Sequence, residues 1–148
     1  MRASRPEGDD GSAVLEFLAL ALVLLIPLVY LVLTLARLEA ATFAAEGAAR
    51  EAARTYVVAD AADEGAERAI AAVGIALRDQ GFDDDPAQAL TLTCSTSPCL
   101  APGSDVAARI DVLVPLPFVP VFVRDVVPLE ILVSAERIAP VDTYRTTR

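Results

Sequence analysis

The most distinctive chemical group of the chain is the carboxylate of Glu16, which lies three residues inside a long apolar run. The run covers residues 13–36, and Glu16 is its single charged residue. An ionised carboxylate at the centre of a membrane helix costs about 2.5–3.5 kcal/mol on insertion scales, and less near the interface. A residue at that cost usually has a function, so the residues around it, Gly11, Ser12 and Phe17, are candidate site residues.

Together, Gly11, Ser12, Glu16 and Phe17 resemble the processing site of type IV prepilins. In that family a membrane-embedded prepilin peptidase cuts after the glycine, so the resemblance implies cleavage between Gly11 and Ser12, with Glu16 as the fifth mature residue. Phe17 is similar to the aromatic residue that follows this glutamate in Flp-type pilins. Cleavage would create an ammonium at Ser12, and residues four apart share a helix face, so Glu16 would lie near positive charge from its own or a neighbouring subunit. Such pairing would offset the cost of the buried carboxylate and set the axial register between helices.

An alternative interpretation needs no processing. Gly11 and Ser12 would then form a loop and a helix N-cap, and Glu16 would lie in the first helical turn, stabilised by the helix dipole and reaching the lipid headgroups.

Cys94 and Cys99 are the only cysteines, and the residues between them include Ser95 and Pro98, which suit a short turn. We expect a local disulfide, which would persist in an oxidising compartment and therefore favours an extracytoplasmic location for this part of the chain. The alternative is a pair of reduced thiols. Two cysteines alone are too few ligands for a zinc site.

The sequence contains few of the residue patterns that catalysis usually requires. Histidine is absent, which removes the commonest general base and metal ligand. The run Asp83, Asp84 and Asp85 lacks the alternating spacing of a calcium loop and predicts a polar turn instead. We therefore expect no enzyme activity, no catalytic residues, no metal, no cofactor and no small-molecule substrate.

The apolar run predicts the element that positions Glu16. As a helix, its 24 residues would be about 36 Å long, enough to span a bilayer. It is too long for the apolar region of a cleaved secretory signal, and Pro27 predicts a bend within it. Arginines flank the apolar run on both sides, so their distribution does not decide its orientation in the membrane. We place the N-terminus in the cytoplasm because a leader of about a dozen residues cannot fold and because the cysteines lie beyond the helix.

The helix is predicted to continue to about Val58, since no proline interrupts this stretch. Small residues line one face and could pack on another subunit or on the protein's own sheet; they are Ala41, Ala45, Ala48 and Ala52. Glu46 and Arg50 have the spacing of a favourable ion pair, which leaves Arg54 available for an acidic partner. Residues 11–58 resemble the TadE/TadG-like family of tight-adherence pilus systems, whose members commonly carry an Ala- and Arg-rich stretch after the anchor. Glu16, Arg50 and Arg54 are the candidate assembly contacts.

The rest of the chain predicts a small α+β domain. A second helix is expected from about Ala61 to Gln80, with Asp60 as its cap and Gly81 as its terminator. Its apolar face contains Ala66, Ile70, Val73 and Leu77. Three alternating patterns predict strands, with inward residues Leu90, Leu92 and Cys94, then Ala108, Ile110, Val112 and Val114, then Leu129, Ile131, Val133 and Ala135. The proline-rich segment 114–128 between the last two cannot be a central strand.

The predicted fold is thus a membrane-anchored, pilin-like α+β protein with a small antiparallel sheet of about three to four strands. It has three parts: a leader at 1–11, the transmembrane helix and its extension at 12–58, and an extracytoplasmic domain at 59–148. The net charge is −9, and the segment from Asp60 to Asp85 holds eight acidic residues against two arginines, which disfavours nucleic acid as a partner. The resemblance implies a minor pilin or pilus-assembly protein whose partners are membrane lipid, a prepilin peptidase and other pilus subunits. The alternative is an unprocessed single-pass protein whose outer domain binds another cell-envelope complex.

Overall fold

The computed structural model describes residues 10–117 and 130–145. In the described residues, three helices accompany a three-stranded sheet, so the predicted α+β class is confirmed. The elements are α1 (Asp10–Val57), α2 (Ala62–Asp79), α3 (Pro86–Ala89), β1 (Leu90–Cys94), β2 (Asp105–Pro115) and β3 (Glu130–Pro140). The predicted leader lies mostly outside the described residues, as does the stretch 118–129 of the proline-rich segment. Val114 and Pro115 of that segment form the end of β2, the middle strand of the sheet, so its exclusion from a central strand is wrong for these two residues.

The chain divides into two units, Met1–Leu35 and Ala36–Arg148. Within the first unit the described residues form one helical stretch, which stays α-helical through Pro27. It includes the most apolar part of α1, and the other described residues bury none of that 18-residue stretch. In the part of the chain that the structure describes, α1 is the one helix long and apolar enough to cross a bilayer, judged by length and composition.

In the second unit, the remainder of α1 supplies an alanine face to the hydrophobic core. Each of these alanines is at most 2 % exposed; they are Ala41, Ala44, Ala45, Ala48, Ala49, Ala52 and Ala53. They share one buried cluster with Val73 and Leu77 of α2 and with Ile110 of β2. Of the two uses predicted for the small residues, packing within the protein's own domain is the one observed.

The second helix lies within one residue of its predicted start and end, but its predicted cap is wrong. Ala61, with extended backbone, is the N-cap residue, and no side chain caps the helix there, so Asp60 does not have the predicted role. The predicted terminator is confirmed: Gly81 has a φ of 72°, and the amide of Phe82 donates to the carbonyl of Leu77 at 3.0 Å. A left-handed glycine of this kind is the usual way to satisfy the last carbonyls of a helix.

All three predicted strands are present in an antiparallel sheet with the order β1-β2-β3. Leu90 pairs with Ile110, and Val112 pairs with Val133. The alternation along β2 is as predicted, because Ala108, Ile110, Val112 and Val114 are buried while Arg109 and Leu113 are exposed. On β3, Val133 and Ala135 are partly buried, Ile131 is exposed, and Leu129 lies outside the described residues.

The polar turn predicted at Asp83–Asp85 includes a helix start that the sequence analysis missed. A carboxylate oxygen of Asp85 accepts a hydrogen bond from the amide of Ala87 at 3.0 Å, and Pro86 occupies the first position of the four-residue helix α3. Proline is favoured at that position because it has no N–H to leave unsatisfied.

Candidate functional site

The peptide bond between Gly11 and Ser12 lies in the first turn of α1, since that helix begins at Asp10. Ser12 is therefore helical rather than an N-cap that follows a loop. Ser12 and Glu16 are one helical turn apart on the same face, which is the relationship that a charge pair between them requires. Both side chains are exposed, and so is Phe17.

Glu16 lies among exposed apolar side chains. Its neighbours Leu15 and Phe17 are 70 % and 69 % exposed. No cationic group of the described residues lies within ion-pair distance of Glu16. In a bilayer, stabilisation of this carboxylate would require a positive charge from outside the described residues, or contact with the headgroup region.

The ion pair predicted between Glu46 and Arg50 is wrong. Glu46 pairs instead with Arg137 of β3, with 3.2 Å between Oε2 and Nη2. The sheet brings Arg137 across to α1, and that long-range contact competes with the local pair. Arg50 and Arg54 are exposed, and within the described part of the chain neither forms an ion pair.

The predicted disulfide between Cys94 and Cys99 is confirmed, with 5.1 Å between their Cα atoms. Hydrogen bonds hold the same loop. The Ser104 hydroxyl donates to the Cys99 carbonyl at 3.0 Å, and the Asp105 amide donates to Ser95 Oγ at 2.8 Å. The loop between β1 and β2 is thus fixed at both ends.

Two arginines that the sequence analysis passed over hold the ends of helices. Arg37 donates to the carbonyl oxygens of Gln80 and Gly81 at 3.3 and 2.7 Å, just beyond the end of α2. Arg145 donates to the carbonyl of Val57, the last residue of α1, at 3.0 Å, and also to that of Ala59. Cationic side chains at helix C-termini satisfy orphan carbonyls and oppose the helix dipole.

A polar cluster on the outward face of the sheet was also not predicted. Ser134 donates a hydrogen bond to Asp111, and Arg109 Nε lies 3.2 Å from the same carboxylate. The hydrogen bond from Ser134 is the main cause that lowers the pKa of Asp111, and Arg109 adds to it. A carboxylate with a lowered pKa is a weak base, so this arrangement does not activate the serine hydroxyl as a nucleophile.

No three His, Cys, Asp or Glu side chains of the described residues are placed to hold a metal ion together. Comparison with protein-family models, with curated proteins and with solved structures found no match to this chain.

Proposed function

We propose that this protein is a pilin-like structural component, a minor pilin or pilus-assembly protein of the tight-adherence type. It is inserted in the membrane through α1, clipped between Gly11 and Ser12 by a prepilin peptidase, and assembled through that helix. The observation that carries the proposal is the position of Glu16. It lies one turn after Ser12 in a helix whose most apolar stretch is not buried by the described residues of its own chain.

The energetic argument concerns the partner of Glu16. A lone carboxylate in an apolar environment is unfavourable, and pairing with a hydrogen-bonded cation removes much of the penalty. Cleavage before Ser12 supplies an ammonium on the face of the helix that Glu16 shares. In an assembly of parallel helices, the same pair can form between neighbouring subunits and align them along their axes.

The domain after the helix supports an extracytoplasmic location. The disulfide between Cys94 and Cys99 is the type of bond that persists outside the cytoplasm. The N-terminus is accordingly cytoplasmic in this proposal, and residues beyond the span face outward.

The test is the mass of the mature N-terminus. The full chain is produced in cells that contain a prepilin peptidase and in matched cells that lack it. We expect a chain that begins at Ser12, or at a methylated Ser12, only in the first. Gly11→Ala should block this maturation, while Gly47→Ala, on the same helix but far from the bond, should leave it unchanged. An intact Met1 leader in both cell types would overturn the proposal in favour of an unprocessed single-pass protein.

A second variant separates cleavage from assembly. Glu16→Gln keeps the size of the side chain and removes its charge, so we expect processing to continue while incorporation into any filament or complex falls. The measurement compares the mature N-terminus with the fraction of chain recovered in sedimented assemblies. Unchanged incorporation would show that the carboxylate has no role in assembly.

A further inference from the structure

The solvent-facing side of α1 in the second unit carries a row of residues that face away from the core formed by the described residues. Phe43 is 70 % exposed. One turn later, a Cβ placed on Gly47 would meet no atom within 4 Å. Arg50 and Arg54 follow at the same helical spacing, both exposed. We name these four residues the α1 strip; it lies opposite the buried alanine face.

Gly47 is unexpected at this position. Glycine in the interior of a helix is about 1 kcal/mol less favourable than alanine, and no atom of the described residues comes close enough to Gly47 to require it. A small residue next to an exposed aromatic ring lets a second helix approach closely.

The second helix has an outward row of matching character. Asp63 and Glu67 are exposed carboxylates, and no ion pair involves either of them within the described residues. Ala71 follows one turn later, and Ile75, one turn beyond it, is 58 % exposed. We name these four residues the α2 strip. From Ile75 back to Asp63, the α2 strip consists of a large apolar residue, a small residue and two acidic residues. From Phe43 to Arg54, the α1 strip consists of a large apolar residue, a glycine and two arginines.

The fold places the two strips at corresponding levels. Arg37 contacts the carbonyls of Gln80 and Gly81, and a Cβ on Gly65 would lie 3.0 Å from Cδ2 of Tyr56. The start of the outer part of α1 therefore lies beside the end of α2, and its end beside the start of α2, so the two helices run antiparallel. If residues are counted along both helices from these two contacts, each residue of α1 can be matched to the residue of α2 at the same position along the helix axis, to within about one turn, or 5.4 Å. On that scale the strips correspond in four pairs: Phe43 with Ile75, Gly47 with Ala71, Arg50 with Glu67, and Arg54 with Asp63.

We propose that the α1 strip packs against the α2 strip of a second copy of this chain. Copies anchored in one membrane leave it in the same direction, and rotation about an axis parallel to α1 preserves the levels of both strips. Such neighbours meet with the arginines facing the carboxylates and the two apolar residues together. This inference rests on the membrane anchoring proposed above and does not depend on cleavage at Gly11.

Charge complementarity favours a second copy over lipid as the occupant. The α2 strip supplies an exposed carboxylate at the level of each exposed arginine of the α1 strip, Glu67 for Arg50 and Asp63 for Arg54. The carboxylate on the flank of the α1 strip, Glu51, lies at the level of Arg68 of α2, whose guanidinium also pairs with Glu64 of its own helix at 2.5 Å.

The contact is tested by cross-linking between two differently tagged full-length chains in native membranes, one with Gly47→Cys and the other with Ala71→Cys. Because each chain has a single added cysteine, a link between the two tags must be intermolecular. We expect an efficient disulfide on mild oxidation. The matched control replaces Ala71→Cys by Thr91→Cys, an exposed position on the outward face of β1 that is not adjacent to the disulfide. Cross-linking no stronger than this control would overturn the proposal.

Charge reversal provides the second measurement. Arg50→Glu together with Arg54→Glu in the Gly47→Cys chain should lower the yield at least tenfold, and Glu67→Arg with Asp63→Arg in the other chain should restore it. Restoration cannot come from a misfolded variant, since two additional substitutions would then be expected to lower the yield further. Failure of both the loss and the rescue would refute the charge pairing.

The two proposals fail independently. The cross-link is measured in the Gly11→Ala precursor as well, in cells without a prepilin peptidase. A chain that matures at Ser12 but does not cross-link refutes the contact and leaves the processing intact. A chain that cross-links but is never cleaved supports the contact and refutes the processing.

Discussion

The guanidinium carbon of Arg37 lies 4.0 Å from the centre of the Phe82 ring. Phe82 is buried, and it follows the left-handed Gly81 whose carbonyl the same arginine binds. A single side chain thus combines a cation–π contact with hydrogen bonds to the end of α2. Contacts of these kinds are each worth about 0.5–3 kcal/mol.

We therefore predict that Arg37→Ala lowers the free energy of unfolding by about 1–3 kcal/mol. Arg37→Lys should recover part of the loss, because it keeps the charge but not the planar group that donates to two carbonyls and stacks on the ring. Thermal unfolding of the full chain in detergent measures both. Arg50→Ala is the control and should change stability by less than about 0.5 kcal/mol. Equal effects of Arg37→Ala and Arg50→Ala would contradict the prediction.

The two helical glycines Gly47 and Gly65 should respond in opposite directions to alanine. At Gly47 the added methyl group enters open space, so the helix gains about 1 kcal/mol. At Gly65 it would lie 3.0 Å from Cδ2 and 3.1 Å from the carbonyl oxygen of Tyr56, so the ring and backbone of Tyr56 must shift by a few tenths of an ångström, at a cost of about 1–3 kcal/mol. Denaturant unfolding of the two single variants gives the signs, and the same sign for both would show that packing does not distinguish these positions.

Removal of the disulfide should destabilise the domain without changing its fold. The bond closes a loop of only a few residues, for which the chain-entropy estimate is about 2 kcal/mol. Cys94→Ala with Cys99→Ala should lower the unfolding temperature, and a reductant should lower that of the wild type by a similar amount. The reductant should have no effect on the double variant. Identical unfolding temperatures with and without the bond would contradict this expectation.

Asp111 should make stability depend on pH in the acidic range. Its folded-state pKa is lowered, chiefly by the hydrogen bond from Ser134, so the unfolded chain binds its proton more readily. This stabilisation is present above the ordinary carboxyl pKa of about 4 and is lost as the pH falls through the lowered folded-state value. The stability difference between wild type and Asp111→Asn should therefore narrow from about pH 6 to about pH 3. The effect is modest because the side chain is 36 % exposed. Ser134→Ala should reduce the narrowing, and a difference that widens on acidification would contradict the assignment.

Much of the fold was predictable because it follows from local patterns. The alternation around Ile110 and the periodicity around Val73 both reflect burial on one side, which the sequence records directly. The alanine face of α1 was visible for the same reason, as was Gly81, whose conformation few other residues adopt.

Apart from the cap of α2 at Asp60 and the helix start at Asp85, which are local, the failed or missed predictions involve contacts between distant parts of the chain. Arg137 competes for Glu46 only because β3 is brought close to α1, and nothing near Glu46 in sequence records that approach. Arg37 and Arg145 bind carbonyls 43 and 88 residues away. The one available signal was their charge, since cations are favoured near helix C-termini, but sequence does not identify which helix. At the candidate processing site the sequence supplied the residues, and the structure adds that Gly11 and Ser12 are already helical.

The alanine face of α1 also determines which mutations the core accepts. Side chains that end at Cβ have almost nothing to lose by truncation, so the usual cavity cost of a core substitution is small there. Any larger residue must instead displace its neighbours, at about 1–3 kcal/mol per site. Substitutions on this face are therefore limited by the largest side-chain volume that fits. Glycine at Ala45 or Ala48 should lower stability mainly because of its low helix propensity, whereas valine or leucine should force the helix away from the layer beneath it.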